Sequence, residues 1–170
     1  WTSSPLLDLH FHGAFGIDLM RPDSWDALAR LLWKSGTLGF CPTTLSCSAP
    51  DLLSQVTLLG AWVQDTQARI RKTPSLKMAY PVGLHLEGPF VNPLACGAHP
   101  PQVLRPAQLT ELDALWTASQ HTLKILTLAP EIHSSTELKA IALWAKKRNI
   151  VLSLGHSLAT YDEAAAALEL

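Results

Sequence analysis

The sequence alternates short apolar, strand-like runs with longer helical patterns, and it does so five times. The runs are Leu6 to Gly13, Thr37 to Leu45, Ala79 to Glu87, Leu123 to Ala129 and Ile150 to Leu154. Between them, apolar residues recur at helical spacing: Trp25, Leu28, Ala29 and Leu32 in a helix from Ser24 to Lys34, and Val56, Leu59 and Val63 in a long helix from Pro50 to Lys72. After a Pro/Gly-rich loop from Gly88 to Arg105, Pro106 is expected to open a helix carrying Leu109, Leu112 and Trp116. Leu138, Ile141, Ala142 and Ala145 stripe the next helix. Ser134-x-x-Glu137 and Thr160-x-x-Glu163 read as capping boxes for the last two helices. Strict strand-helix alternation implies a parallel sheet with right-handed crossovers, either an open doubly wound sheet or a closed barrel. The first strand-to-helix turn, His12-Gly13-Ala14-Phe15-Gly16, lacks the G-x-G-x-x-G spacing of a dinucleotide site.

Composition narrows the function. In 170 residues, 16% charged with a formal net charge of -1, there is no basic excess to neutralise phosphates, so neither a nucleic acid nor an anionic membrane surface is an expected partner. No run of 18 or more apolar residues calls for a membrane span. Cys41, Cys47 and Cys96 are an odd number with no C-x-x-C pair, which argues against a zinc-thiolate site or disulfide framework and favours a reducing compartment. The start, WTSSPLLDL, has no signal-peptide pattern and no initiator Met, so the chain is expected to be cut from something longer.

The polar residues of the strands fall at their C-terminal ends. Residues two apart on a strand share a face, which groups Asp8, His10 and His12 in the first run and Gly83, His85 and Glu87 in the third. His156 follows Leu154 directly after the fifth. In a (β/α)8 barrel those ends form the active-site face. A lone buried histidine is more often a satisfied core residue than a ligand. An H-x-H pair joined by a carboxylate and a third histidine instead points to a divalent ion such as Zn²⁺ or Fe²⁺, which activates water for hydrolysis. His85 reads as a structural strand residue, a ligand or a ligand's support, with structure the preferred role. Asp8 either orients a ligand histidine or pairs structurally. Thr43 and Thr44 default to structure, Glu131 is either a functional loop carboxylate or a loop-fixing residue, and His121 and His133 read as surface residues.

In chain order, LDLHFHG, CPTTLS, GLHLEGPFVNPLACGAHP, LTLAPE and LSLGHS resemble the N-acetylglucosamine-6-phosphate deacetylases of the amidohydrolase superfamily. HLEGPF followed by GAHP is the most distinctive piece, and the resemblance covers essentially the whole chain. It implies a (β/α)8 TIM barrel of the metal-dependent amidohydrolase type, incomplete here, with about five βα units. It further implies hydrolysis of the acetamide of N-acetyl-D-glucosamine 6-phosphate to glucosamine 6-phosphate and acetate. Glu87 resembles the family's primary metal ligand and His156 the second; His10 and His12 match the members that bind a second metal, so one or two divalent ions are implied. Ala98 and His99 match the loop that contacts the substrate's N-acetyl group, where His99 would help polarise the carbonyl. A cytoplasmic enzyme is expected, homo-oligomeric at full length, whose partner is a small amino-sugar phosphate.

The family's sixth-strand histidine and eighth-strand catalytic aspartate have no counterpart before Leu170, so no catalytic residue is assigned. Residues 1–170 are expected to form one partial barrel domain, strands one to five with their helices. The last three units and the small β domain would be absent, since such barrels take roughly 250 residues. The isolated chain is then expected to show no deacetylase turnover. Two alternatives stand beside this reading: another amidohydrolase acting on a different amide or cyclic amide, and a non-catalytic truncated fragment.

Overall fold

A computed structural model describes Ser4 and residues 6–170; the opening residues read for a targeting signal lie partly outside that range. Eight strands and five helices follow in order: β1 (Leu6–Phe11), β2 (Gly13–Ala14), β3 (Ile17–Asp18), α1 (Trp25–Lys34), β4 (Thr37–Thr44), α2 (Ala49–Lys72), β5 (Tyr80–Pro81), β6 (Leu84–Glu87), α3 (Leu109–Ala118), β7 (Leu123–Leu128), α4 (Ser135–Arg148), β8 (Val151–Leu154) and α5 (Tyr161–Leu168). The main sheet runs β1-β4-β6-β7-β8, with β5 also paired to β4, and every pairing in it is parallel. This is an α/β fold with a parallel half-barrel sheet, and the five expected strand-helix units are all present. β2 and β3 form a separate antiparallel hairpin turning at Phe15 and Gly16, both at positive φ.

The central strands bury apolar residues against the helices. Phe40, Leu84, Leu86, Leu126 and Leu128 meet Leu28, Leu52, Val56, Leu59, Leu112, Leu115 and Ile141 in one cluster. Fully burying a side chain of this size stabilises the fold by about 1.5–3 kcal/mol. On the opposite face the register aligns polar residues near the strand ends: Thr43 lies opposite His85, Glu87 opposite Thr127, and Thr127 opposite Ser153.

Both expected capping boxes form, Ser134 with Glu137 and Thr160 with Glu163. The long helix is capped by Ser48, whose side chain accepts the Asp51 N–H, and it ends in Arg69, Arg71 and Lys72, which favourably meet its C-terminal dipole. Among the described residues the three cysteines are free, and no helix is long and apolar enough to cross a membrane.

Three local expectations need correction. The run from Ala79 to Glu87 is two strands, because β5 and β6 pair with different stretches of β4 and the chain steps between them at Val82 and Gly83. Pro106 does not open a helix: the Ala107 N–H is taken by the His133 ring, the backbone stays extended through Gln108, and α3 starts at Leu109. His133 is buried at 8% exposure, not on the surface, because that bond and a second one to the Ala129 carbonyl hold its ring inside.

A histidine-carboxylate cluster at the strand ends

Glu87, the last residue of β6, sits 5% exposed, and four histidines converge on it. Its Oε1 lies 3.1 Å from Nε2 of His10 and 3.1 Å from Nε2 of His156. Its Oε2 lies 2.9 Å from Nε2 of His12 and 3.6 Å from Nε2 of His99. Burial alone would push the Glu87 carboxyl up; the hydrogen bonds of His12 and His99 and the charge of His10 outweigh it and hold it well below the usual carboxylate range. Conversely, the hydrogen bond to Glu87 raises His12 against the opposing pull of burial.

The outer nitrogens of these rings decide what the inner ones can do. Nδ1 of His12 faces the Thr43 carbonyl at 3.1 Å, and Nδ1 of His156 faces the Ala95 carbonyl at 3.1 Å. A carbonyl only accepts, so both rings carry a proton on Nδ1. When neutral, each therefore turns an Nε2 lone pair towards the Glu87 carboxylate. Lone pairs and a carboxylate gathered in one place demand a cation between them, whether protons or a metal ion.

His99 is wired the opposite way. Its Nδ1 accepts the Ser46 N–H at 3.3 Å, so the neutral ring keeps its proton on Nε2 and donates towards Glu87. Two groups of three, His10 with His12 and Glu87, and Glu87 with His99 and His156, each bring their ligand atoms within 4.8 Å of one another. His10, His12, His156 and Glu87 together offer nitrogen and carboxylate donors without thiolate, a set suited to Zn²⁺ or Fe²⁺. The residues present thus fit such an ion.

The backbone delivers these groups. β1 ends at Phe11, leaving His12 just beyond it, while His10 is half exposed on the outermost strand. His156 adopts φ 51°, an unusual left-handed conformation for a non-glycine residue. Gly97, at φ 56°, passes over its ring; a Cβ there would lie 3.2 Å from Cε1 of His156. Ala98 is exposed in the turn that precedes the buried His99.

His85 proves structural. Its Nδ1 donates to the Leu9 carbonyl at 3.0 Å, its Nε2 accepts from the Thr127 hydroxyl at 2.7 Å, and burial pushes it down to about 4. Asp8 accepts the backbone N–H of His10; the rings of His12 and His156 are oriented by backbone carbonyls instead. Sequence reading had no access to them, because a carbonyl partner leaves no trace in residue type. Asn92, five residues after Glu87 in the Pro/Gly-rich loop, is a further polar residue of the site that motif spacing alone does not single out.

No protein-family model matches the sequence. The chain is 38% identical over 165 residues to N-acetylgalactosamine-6-phosphate deacetylase of Escherichia coli O157:H7, covering 96% of this chain and 41% of that protein. It is 32% identical over 155 residues to N-acetylglucosamine-6-phosphate deacetylase of Bacillus subtilis (strain 168), covering 89% and 37%. Among solved structures, a mutant N-acetyl-D-glucosamine-6-phosphate deacetylase from Mycobacterium smegmatis, in complex with N-acetyl-D-glucosamine-6-phosphate, superposes with a TM-score of 0.79 at 30% identity. That match covers 97% of this chain and 40% of the other. The resemblance read from the sequence therefore holds along nearly the whole chain, which spans about two fifths of the length of the curated relatives it matches.

Proposed function

We propose that this chain supplies the ion-holding part of an amino-sugar phosphate deacetylase of the amidohydrolase type, acting in the cytoplasm on N-acetyl-D-glucosamine 6-phosphate. One observation carries the proposal: two histidines whose Nδ1 protons are fixed by carbonyls present lone pairs at the buried carboxylate of Glu87. Glu87 and His156 hold the primary divalent ion, zinc or iron, and His10 and His12 hold a second where one is taken up. Bound there, the ion supplies Lewis-acid polarisation of the acetamide carbonyl and acidifies water. His99 donates a hydrogen bond from its Nε2–H to the carbonyl oxygen as negative charge develops on it, the role of an oxyanion-hole donor. Ala98 and His99 face the N-acetyl group. Water adds to the carbonyl carbon, the C–N bond breaks, and the products are acetate and the free amine of glucosamine 6-phosphate. In domain terms, residues 1–170 form the first five units of the barrel, and the complete protein is a homo-oligomer.

A second substrate has its own support. The relative at 38% identity is named for the galactosamine isomer, which differs from glucosamine only at the C4 hydroxyl. The test uses the protein that carries this chain: zinc content, and acetate release from each of the two N-acetylhexosamine 6-phosphates. Glu87→Ala is expected to lose bound zinc and acetate release together. Unchanged zinc and rate in that variant would sink the assignment, and the better of the two sugars fixes the substrate.

A further inference from the structure

The turn carrying His156 is unusual enough to need an anchor. A left-handed backbone is unfavourable for a non-glycine residue, and the surrounding bonds must hold it. Those bonds lead to one side chain. Glu131 lies in a short 3-10 turn, Pro130–Ile132, directly after β7. Its Oε1 accepts the Leu158 N–H at 2.6 Å and the Asn92 side-chain amide at 2.8 Å, and its Oε2 accepts the Ser157 hydroxyl at 2.6 Å.

These three bonds close a circuit around the ring of His156. Ser157 and Leu158 are the two residues that follow it, so Glu131 fixes the exit from the left-handed turn. Asn92 is the other end. Its N–H donates to the His156 carbonyl at 3.0 Å, and its side-chain oxygen caps the short helix Pro93–Ala95 by accepting the Leu94 N–H at 2.9 Å. That short helix places the Ala95 carbonyl, to which His156 Nδ1 donates. One carboxylate thus sets both the backbone of His156 and the partner that decides its tautomer, without touching Glu87 or the imidazole itself.

We propose that Glu131 is a positioning residue that presets His156 for ion binding. This rests on the reading that Glu87 and His156 hold a divalent ion. The support shell of a metal-ligating histidine is worth about 10–100-fold in affinity, so the loss on removing Glu131 should fall in that range. A glutamine can keep the geometry: its oxygen accepts from Asn92 and Leu158, and its amide donates to the Ser157 hydroxyl. The carboxylate's geometry, more than its charge, is then what matters.

The experiment titrates the chain with Co²⁺, following its visible absorption, and records ring ¹⁵N spectra of the histidines in the metal-free chain. Glu131→Ala is expected to weaken Co²⁺ about 10–100-fold, alter the absorption bands and release the His156 Nδ1 proton to solvent exchange, while Glu131→Gln restores most of each. Ser157→Ala, which removes one bond of the three, should weaken Co²⁺ about fivefold and serves if the alanine variant does not fold. Wild-type Co²⁺ affinity and bands in Glu131→Ala, even with a lowered melting temperature, would leave Glu131 a merely structural residue and overturn the proposal. If the unsubstituted chain takes no Co²⁺, the ion reading itself fails; the ¹⁵N spectra still decide the preset of His156, and an unchanged Nδ1 proton in Glu131→Ala overturns it independently.

Discussion

His99 and His156 meet edge to face, with ring centroids 4.6 Å apart, yet they carry their protons on opposite nitrogens. A backbone N–H at Ser46 fixes one ring as an Nε2 donor, and a backbone carbonyl at Ala95 fixes the other as an Nε2 acceptor. Neighbouring imidazoles are thereby prepared for opposite tasks at one carboxylate.

The difference predicts how substitutions separate. His156→Gln and His12→Gln are each expected to weaken zinc binding by at least about 100-fold, more than an outer partner would cost. His99→Gln should change zinc affinity no more than about twofold. In the protein that carries this chain, the same His99→Gln should lower kcat by about 10²–10³, the usual loss for one oxyanion donor. Calorimetric zinc titration of the three variants checks the first part. A His99 variant that loses zinc as His156→Gln does would show His99 to be a ligand.

The buried His133 gives a pH prediction whose sign follows from its two bonds. Nδ1 donates to the Ala129 carbonyl and Nε2 accepts the Ala107 N–H at 2.8 Å, so protonating Nε2 breaks the second bond. Burial holds its pKa below the ordinary 6.5. The unfolded chain thus binds the proton first, and the stability contributed by neutral His133 is present above pH 6.5 and is lost as pH falls from there towards the folded pKa. Urea midpoints at pH 7.5 and 5.0 should diverge more in the unsubstituted chain than in His133→Phe. At pH 7.5 that variant should cost about 1–3 kcal/mol, because the Ala107 N–H is left without a partner. Equal pH slopes in the two chains would exclude His133 as the source.

Gly60 lies within α2, where alanine ordinarily stabilises a helix by about 1 kcal/mol. Here the reverse is expected. A Cβ at residue 60 would stand 2.5 Å from the Ser119 carbonyl oxygen and 2.7 Å from Ser119 Cα, backbone that cannot rotate away. Overpacking of this kind costs about 1–3 kcal/mol, so Gly60→Ala should lower the urea midpoint. A raised midpoint would mean that α2 and the turn after α3 can part without loss.

What the sequence disclosed and what it withheld divide along physical lines. Periodicity and caps are local, so the five strand-helix units and the boxes at Ser134 and Thr160 were readable. The convergence of His10, His12, Glu87 and His156 followed from strand ends, because a parallel sheet brings those ends to one rim. The environment of His133 was hidden, since its donor, Ala107, lies 26 residues earlier and is a main-chain N–H. That same bond is why a proline with good credentials for opening a helix failed to do so. Glu131 was visible as a carboxylate, but its three partners come from loops 26 to 39 residues away, and only the fold assembles them.

Glu87 is the one member shared by the two groups of potential ligands, His10 with His12 and His99 with His156. A single carboxylate serving two neighbouring sites cannot be occupied at one without changing its basicity at the other. Two ions held there would be thermodynamically linked, and reciprocally so: whatever the first did to the affinity for the second, the second would do equally to the first. The junction of such a coupling would be one side chain, at the end of a four-residue strand.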